Sequence, residues 1–175
     1  VSVPITESRW EKSIQKFEAA DAENPPAEGS IVFVGSSSIV MWDTDAAFPG
    51  YGVINRGFGG SQTSDSLEFS DRIILKYKPR LVVIYAGDND IAKGKSVETV
   101  VEDTQELFDV IHEDRRKTKI IYVAIKPSIA RWNLVDTMRE ANVEIAAIAK
   151  KDRRITFLDI DTPSLGADGK PRKEL

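Results

Sequence analysis

Five short apolar runs, at 31–35, 51–55, 81–86, 119–125 and 155–160, alternate along the chain with stretches that repeat their apolar residues at helical spacing. The first run, Ile-Val-Phe-Val-Gly, has no polar alternation and is rich in β-branched residues, which is the pattern of a strand buried on both faces. Strands of that kind joined through helices make a parallel sheet with helices on both sides, because each crossover is right-handed and packs back on the sheet. The expected strand order is 2-1-3-4-5.

The intervening segments carry their own signals. Ser8 and Glu11 have the spacing of a capping box ahead of Trp10, Ile14 and Phe17, and Pro25-Pro26 ends that helix. A helix over 64–77 is expected to face inward through Leu67, Ile73, Ile74 and Tyr77. Ser96 is placed to cap a helix whose buried face is Val97, Val100, Val101, Leu107, Phe108 and Ile111. Leu134, Val135, Met138, Ala141, Ile145 and Ile148 line the next one, and 162–175 is turn-rich around Asp168-Gly169.

The 175 residues suffice for one hydrophobic core, and no linker or repeat divides them. The expectation is one domain over 1–175, with the helix and linker of 1–28 packed on it. Net charge is −4, and the basic clusters Arg115-Arg116-Lys117 and Lys150-Lys151 sit at helix ends, so nucleic acid is not the expected partner. No apolar run has the length of a membrane span. Cysteine is absent, which excludes a thiolate metal site and leaves the compartment open. The chain begins at Val1, as a processed or trimmed chain does.

Three of the strands run directly into glycine-centred blocks: IVFVGSSSI at 31–39, INRGFGGSQT at 54–63 and LVVIYAGDNDI at 81–91. In a parallel sheet all three turns meet at the carboxyl edge, where open α/β sheets place their sites. The first offers the hydroxyls of Ser36, Ser37 and Ser38, any of which qualifies on position. The second, with Gly57, Gly59 and Gly60, offers backbone N–H groups that a ligand can approach closely. The third offers the carboxamide of Asn89. A serine nucleophile facing oxyanion donors needs such a set. Taken singly, each block has an ordinary explanation: serines cap helices and glycines make turns. Neither phosphate-loop spacing is present. Asp88 and Asp90 with Asp159 or Asp161 would suit a hard cation, but such sites place a carboxylate on the first strand, where this chain has serines. No metal is therefore expected. His112, the sole histidine, ends a helix that finishes at the opposite sheet edge, and a structural role is expected for it.

In order and spacing the blocks resemble the GDSL-type esterases and lipases of the SGNH hydrolase superfamily, from about residue 29 to the end. The resemblance implies a three-layer α/β/α, flavodoxin-like fold with a five-stranded parallel sheet, no required cofactor, and ester hydrolysis through an acyl-enzyme. On the family's Gly-Asp-Ser, Gly35-Ser36-Ser37 makes Ser37 the nucleophile and puts Ser36 where the aspartate usually stands. Gly60 falls on the oxyanion-hole glycine, and Asn89, in Gly87-Asp88-Asn89-Asp90, on the side-chain donor. The family's Asp-x-x-His block has no counterpart before Leu175. The expectation is a C-terminally shortened hydrolase, weakly active for want of its base; the alternative is a pseudoenzyme or a small-ligand or carbohydrate-binding module on the same fold.

The expected partner is a small-molecule ester with a short acyl group, acetylated carbohydrate included. Arg131 and Trp132, just beyond the fourth strand, and Asp90 are the candidate substrate contacts. In the family fold a C-terminal helix covers part of one sheet face. Without it, an apolar face is expected to be hidden by self-association or by the helix of Trp10, Ile14 and Phe17.

Overall fold

Strand β1 (Ile31–Gly35) is buried along its whole length, with β2 (Val53–Gly57) paired to one edge and β3 (Leu81–Tyr85) to the other. The computed structural model, which describes residues 8–172, places β4 (Lys119–Val123) and β5 (Ile155–Leu158) beyond β3. All pairings are parallel and the order is β2-β1-β3-β4-β5, as the strand–helix alternation predicts. Gly35 stands level with Gly57 on one side and Tyr85 on the other, so the three central strands end together. Residues 1–7 of the expected N-terminal segment, and 173–175 of the turn-rich stretch, lie outside the described residues.

Ahead of β1 runs α1 (Glu11–Glu23); α2 (Ser37–Val40) and α3 (Thr44–Ala47) separate β1 from β2. Then come α4 (Thr63–Glu68), α5 (Ser70–Ile73) and a 3-10 turn (Leu75–Tyr77) before β3, and α6 (Asp88–Ala92) and α7 (Val97–Asp114) before β4. A 3-10 segment (Ile129–Leu134) leads into α8 (Val135–Ala149), and β5 follows.

Two local expectations are corrected. No capping box forms at Ser8: α1 starts at Glu11 with Trp10 at its cap and no side-chain bond there. The Glu11 carboxylate instead takes two bonds of 2.8 Å from Arg72, whose guanidinium also donates to Glu18 at 2.7 Å. A bidentate pair that ties α1 to α5 outcompetes a single local cap. The helix expected over 64–77 is broken at Phe69 and again at Ile74 (φ −128°, ψ −65°). Phe69, Ile73 and Ile74 all reach the core on either side of these breaks. The helix led by Ser96 is as predicted, with Ser96 Oγ accepting from Thr99 N at 3.2 Å.

The two helical layers are unequal. Side chains from α1, α5, α7 and α8 all join the core on the face that carries Val34, Val82, Ile84, Ile120 and Tyr122. Ile14, with Trp10 and Phe17, packs there too, so of the two covers expected for an open face this helix does not supply the one over the other face. Among the described residues the other face, with Ile31, Phe33, Val83 and Val123, is met by Ile39, Trp42 and Phe48 from the segment between β1 and β2 and by Ile160 after β5. What remains is an apolar trough of about 390 Å³ along β1, β3 and β4, walled by Trp42, Tyr51 and Leu158. These three are 39%, 61% and 47% exposed, which marks the rim as open to solvent. An apolar fluorescent dye is expected to bind this trough in the folded chain, and Ile121→Glu, on its floor, to remove most of the emission without unfolding the protein. No dye binding by the native chain would contradict an open face.

Candidate active site

The carbonyl of Gly35 at the end of β1 is where the first two blocks meet. It accepts from Phe58 N at 2.9 Å and from Ser61 Oγ at 3.2 Å. Only glycine fits position 35: φ is +143°, and a Cβ built there would lie 1.9 Å from the Tyr85 carbonyl oxygen. The second and third blocks meet at Ser61, whose carbonyl accepts from Asn89 Nδ2 at 2.9 Å. They meet again at Asp90, which accepts from Thr63 N at 3.1 Å with both carboxylate oxygens. The three blocks are therefore joined by direct hydrogen bonds at one end of the sheet.

The three serines are sorted by their surroundings. Ser36 is fully buried, and its hydroxyl has no partner among the described residues. Ser37 is half-buried at the start of α2, and Gly59 passes so near that a Cβ there would lie 4.0 Å from Ser37 Cβ. Ser38, also half-buried, stands beside the Tyr85 phenol, which burial pushes well above its ordinary pKa. Gly60, at φ +80°, turns the second block between Ser37's neighbour Gly59 and Ser61. Trp10 lies against Gly60, and Arg9 donates to its carbonyl at 3.3 Å.

Asn89 is buried and its orientation is determined. Arg131 Nη2 donates to its Oδ1 at 2.8 Å, and a guanidinium has no acceptor, so Nδ2 must point the other way, to Ser61 O. Among the described residues no second acceptor takes the remaining Nδ2 hydrogen. Arg131 Nη1 also donates to Asp88 Oδ2 at 2.9 Å. Burial raises the Asp88 pKa, with the Arg131 charge acting against the rise.

The residues expected to touch substrate differ in their surroundings. Asp90 has no exposure at all, so it is corrected from a substrate contact to a tie between loops. Its charge is met by Lys95 Nζ at 3.0 Å, which also reaches Asp103 at 2.7 Å and Ser64 Oγ at 2.9 Å. Burial works against the Lys95 charge, but Asp103 and Asp90 together hold its pKa above the ordinary value. Arg131 is engaged by Asp88 and Asn89, and the Trp132 ring has the Arg139 guanidinium over it at 5.9 Å. Arg139 is in turn paired with Asp161 at 2.7 Å, which commits that carboxylate. Ser61, Thr63 and Lys95 were not singled out from sequence. Ser61 and Thr63 act in part through backbone atoms, and Lys95 lies in a loop with no motif.

His112 is buried at the end of α7, with Nε2 3.1 Å from Thr118 O and Nδ1 3.8 Å from Asp152. Burial, aided by the Arg154 charge, lowers its pKa below the ordinary 6.5. The folded chain thus keeps it neutral where the unfolded chain protonates it. Its contribution to stability is full above pH 6.5 and is lost as pH falls from there through the depressed folded value. His112→Gln is expected to flatten denaturation midpoints across that window; an unchanged slope would contradict the assignment. Lys95→Met leaves the buried Asp90 carboxylate short of its cation and is expected to cost about 3 kcal/mol in denaturant unfolding. Hydrogen exchange should then quicken over residues 58–63, and a change below about 0.5 kcal/mol would contradict the tie.

Residues 39–175 match the sequence profile of the GDSL-like lipase/acylhydrolase family, a span that holds Gly60 and Asn89 and begins two residues after Ser37. No curated protein sequence matches the chain. Among solved structures, a Streptococcus pneumonia protein superposes with a TM-score of 0.83 at 20% identity, over 94% of this chain and 80% of that one. A GDSL-like lipase from Bacteroides thetaiotaomicron gives 0.70 at 21%, over 92% and 90%. A variant of an acetyl-xylooligosaccharide esterase from Geobacillus stearothermophilus gives 0.61 at 17%, over 84% and 89%.

Proposed function

The chain belongs to the GDSL-like lipase/acylhydrolase family, and from that premise we propose that it is a single-domain serine esterase that takes small acyl groups onto Ser37. The observation that carries the reading is the hydrogen-bonded union of the three blocks through Gly35, Ser61 and Asn89. In the proposed reaction Ser37 Oγ attacks the ester carbonyl carbon, and its proton passes through solvent water to the oxygen of the departing alcohol. The carbonyl oxygen, now an oxyanion, is met by Gly60 N–H and Asn89 Nδ2. Collapse breaks the ester C–O bond and expels the alcohol, and water then releases the acid from Ser37. No cofactor enters these steps.

The substrate class is argued from the cleft beside Ser38. It holds about 230 Å³ between Ile39, Trp42, Tyr85 and Val123, with Lys126 at its edge. That is below the range of pockets for drug-sized ligands and suits an acetyl or similarly short acyl group. The acetyl-xylooligosaccharide esterase among the similar folds accords with acetylated carbohydrate as one such substrate. The open apolar trough favours association of copies of this chain, to be followed by sedimentation velocity.

The sequence has one histidine, and it is committed to Thr118 and Asp152. Imidazole assistance to Ser37, worth about 10²–10⁴-fold, is accordingly missing from these residues, and turnover by this chain is expected to be slow. Incubation with p-nitrophenyl acetate followed by peptide mass spectrometry tests the reading. An acetyl group on Ser37, formed faster than an octanoyl group from the longer ester and lost in Ser37→Ala, is expected. Acylation elsewhere, or none, would move the reading to a non-catalytic binding module on the same fold.

A further inference from the structure

We propose that Arg131 is a positioning residue for the oxyanion hole, acting through Asn89, and not an anchor for substrate. The inference rests on the esterase reading above and adds to it a residue and a way of acting.

Asn89 stands near the start of α6, and nothing in the helix itself decides which end of its carboxamide faces Ser61. Rotation by half a turn about the last side-chain bond exchanges Oδ1 and Nδ2 at almost no steric cost. In the exchanged form Oδ1 would face the Ser61 carbonyl oxygen and Nδ2 would face Arg131, so two acceptors and two donors would be opposed. Arg131 removes that form, because its guanidinium donates and never accepts. Its second nitrogen is fixed on Asp88 at 2.9 Å, so the planar fork spans two adjacent residues of the third block and resists rotation. A lysine offers a point charge in place of that fork.

The segment bearing Arg131 is itself held in place. Asn142 of α8 donates to Ile125 O and accepts from Ile125 N, each at 2.9 Å, which fixes α8 to the end of β4. Between these points the 3-10 segment departs from helical geometry at Arg131 alone (φ −124°, ψ 25°), at the residue whose side chain reaches Asn89. Two independently anchored loops thus meet at one amide. The arrangement leaves one Nδ2 hydrogen for an incoming oxyanion and makes its direction depend on Arg131. Such preorganisation matters because a donor that must first reorient contributes less in the transition state.

Two measurements on the whole chain test this. In ¹⁵N-labelled protein the Asn89 side-chain amide, assigned by its loss in Asn89→Asp, should show two separated proton signals that exchange slowly with water. Arg131→Gln is expected to speed that exchange at least tenfold and draw the signals together, with Arg131→Lys intermediate. An Asn89 amide unmoved by either substitution overturns the proposal. Acylation of Ser37 is then timed with a neutral and an anionic ester. The expected result is a fall of about 10²-fold in the maximal rate with both esters, at nearly constant half-saturation, partly rescued in Arg131→Lys. Weaker saturation by the anionic ester alone would make Arg131 a substrate anchor and overturn the proposal. If the unsubstituted chain forms no acyl group on Ser37, the esterase reading fails, and the amide signals alone decide whether Arg131 orients Asn89.

Discussion

The level ending of the three central strands is the constraint from which the rest follows. Gly35 is paired in register with Gly57 and with Tyr85, so the chain leaves β1, β2 and β3 at one height. Loops that start level and side by side can share hydrogen bonds, and here they do so through main-chain groups: Gly35 O, Phe58 N, Ser61 O and Thr63 N. A one-residue shift of any of these strands would exchange the residues on its two faces and misplace its loop at the same time. Core packing and site geometry are therefore fixed by the same register. That coupling makes Gly35 informative, since at its φ of +143° a Cβ would be aimed at the Tyr85 carbonyl and lie 1.9 Å from its oxygen.

Much of this was legible in the sequence. Unbroken apolar runs gave the strands, and alternation gave their parallel order, because both depend on local pattern and on rules of chain connection. Blocks of glycine, serine and asparagine marked the sheet edge, since turn chemistry is local too. The failures share one cause. Glu11 was read against Ser8, four residues being a short search, and it belongs to Arg72 in α5. Asp90 looked available to substrate and is buried under Lys95. Each error concerns a charged side chain whose partner is distant or unsignalled, and no periodicity reports such partners. The broken helix at Phe69 and Ile74 belongs to the same class, because the core decides there against the helical default.

The uneven layering bears on function as well as stability. One face of the sheet carries nearly all the helical cover, and the other retains an apolar trough whose wall at Trp42 is shared with the cleft beside Ser38. Ser37 begins α2 and so belongs to the thin α2–α3 segment that lies on this face. Cover added over the trough would stiffen that segment and with it the entry to Ser37, which joins the state of the open face to the behaviour of the site.

The central claim is that Ser37, Gly60 and Asn89 serve one oxygen atom. A crystal structure of the chain after reaction with an activated alkyl phosphonate tests it most directly. The account predicts phosphorus bonded to Ser37 Oγ, with one phosphonyl oxygen about 3 Å from both Gly60 N and Asn89 Nδ2. Phosphorus on Ser36 or Ser38, or a phosphonyl oxygen on Ser37 that turns away from both donors, would contradict it.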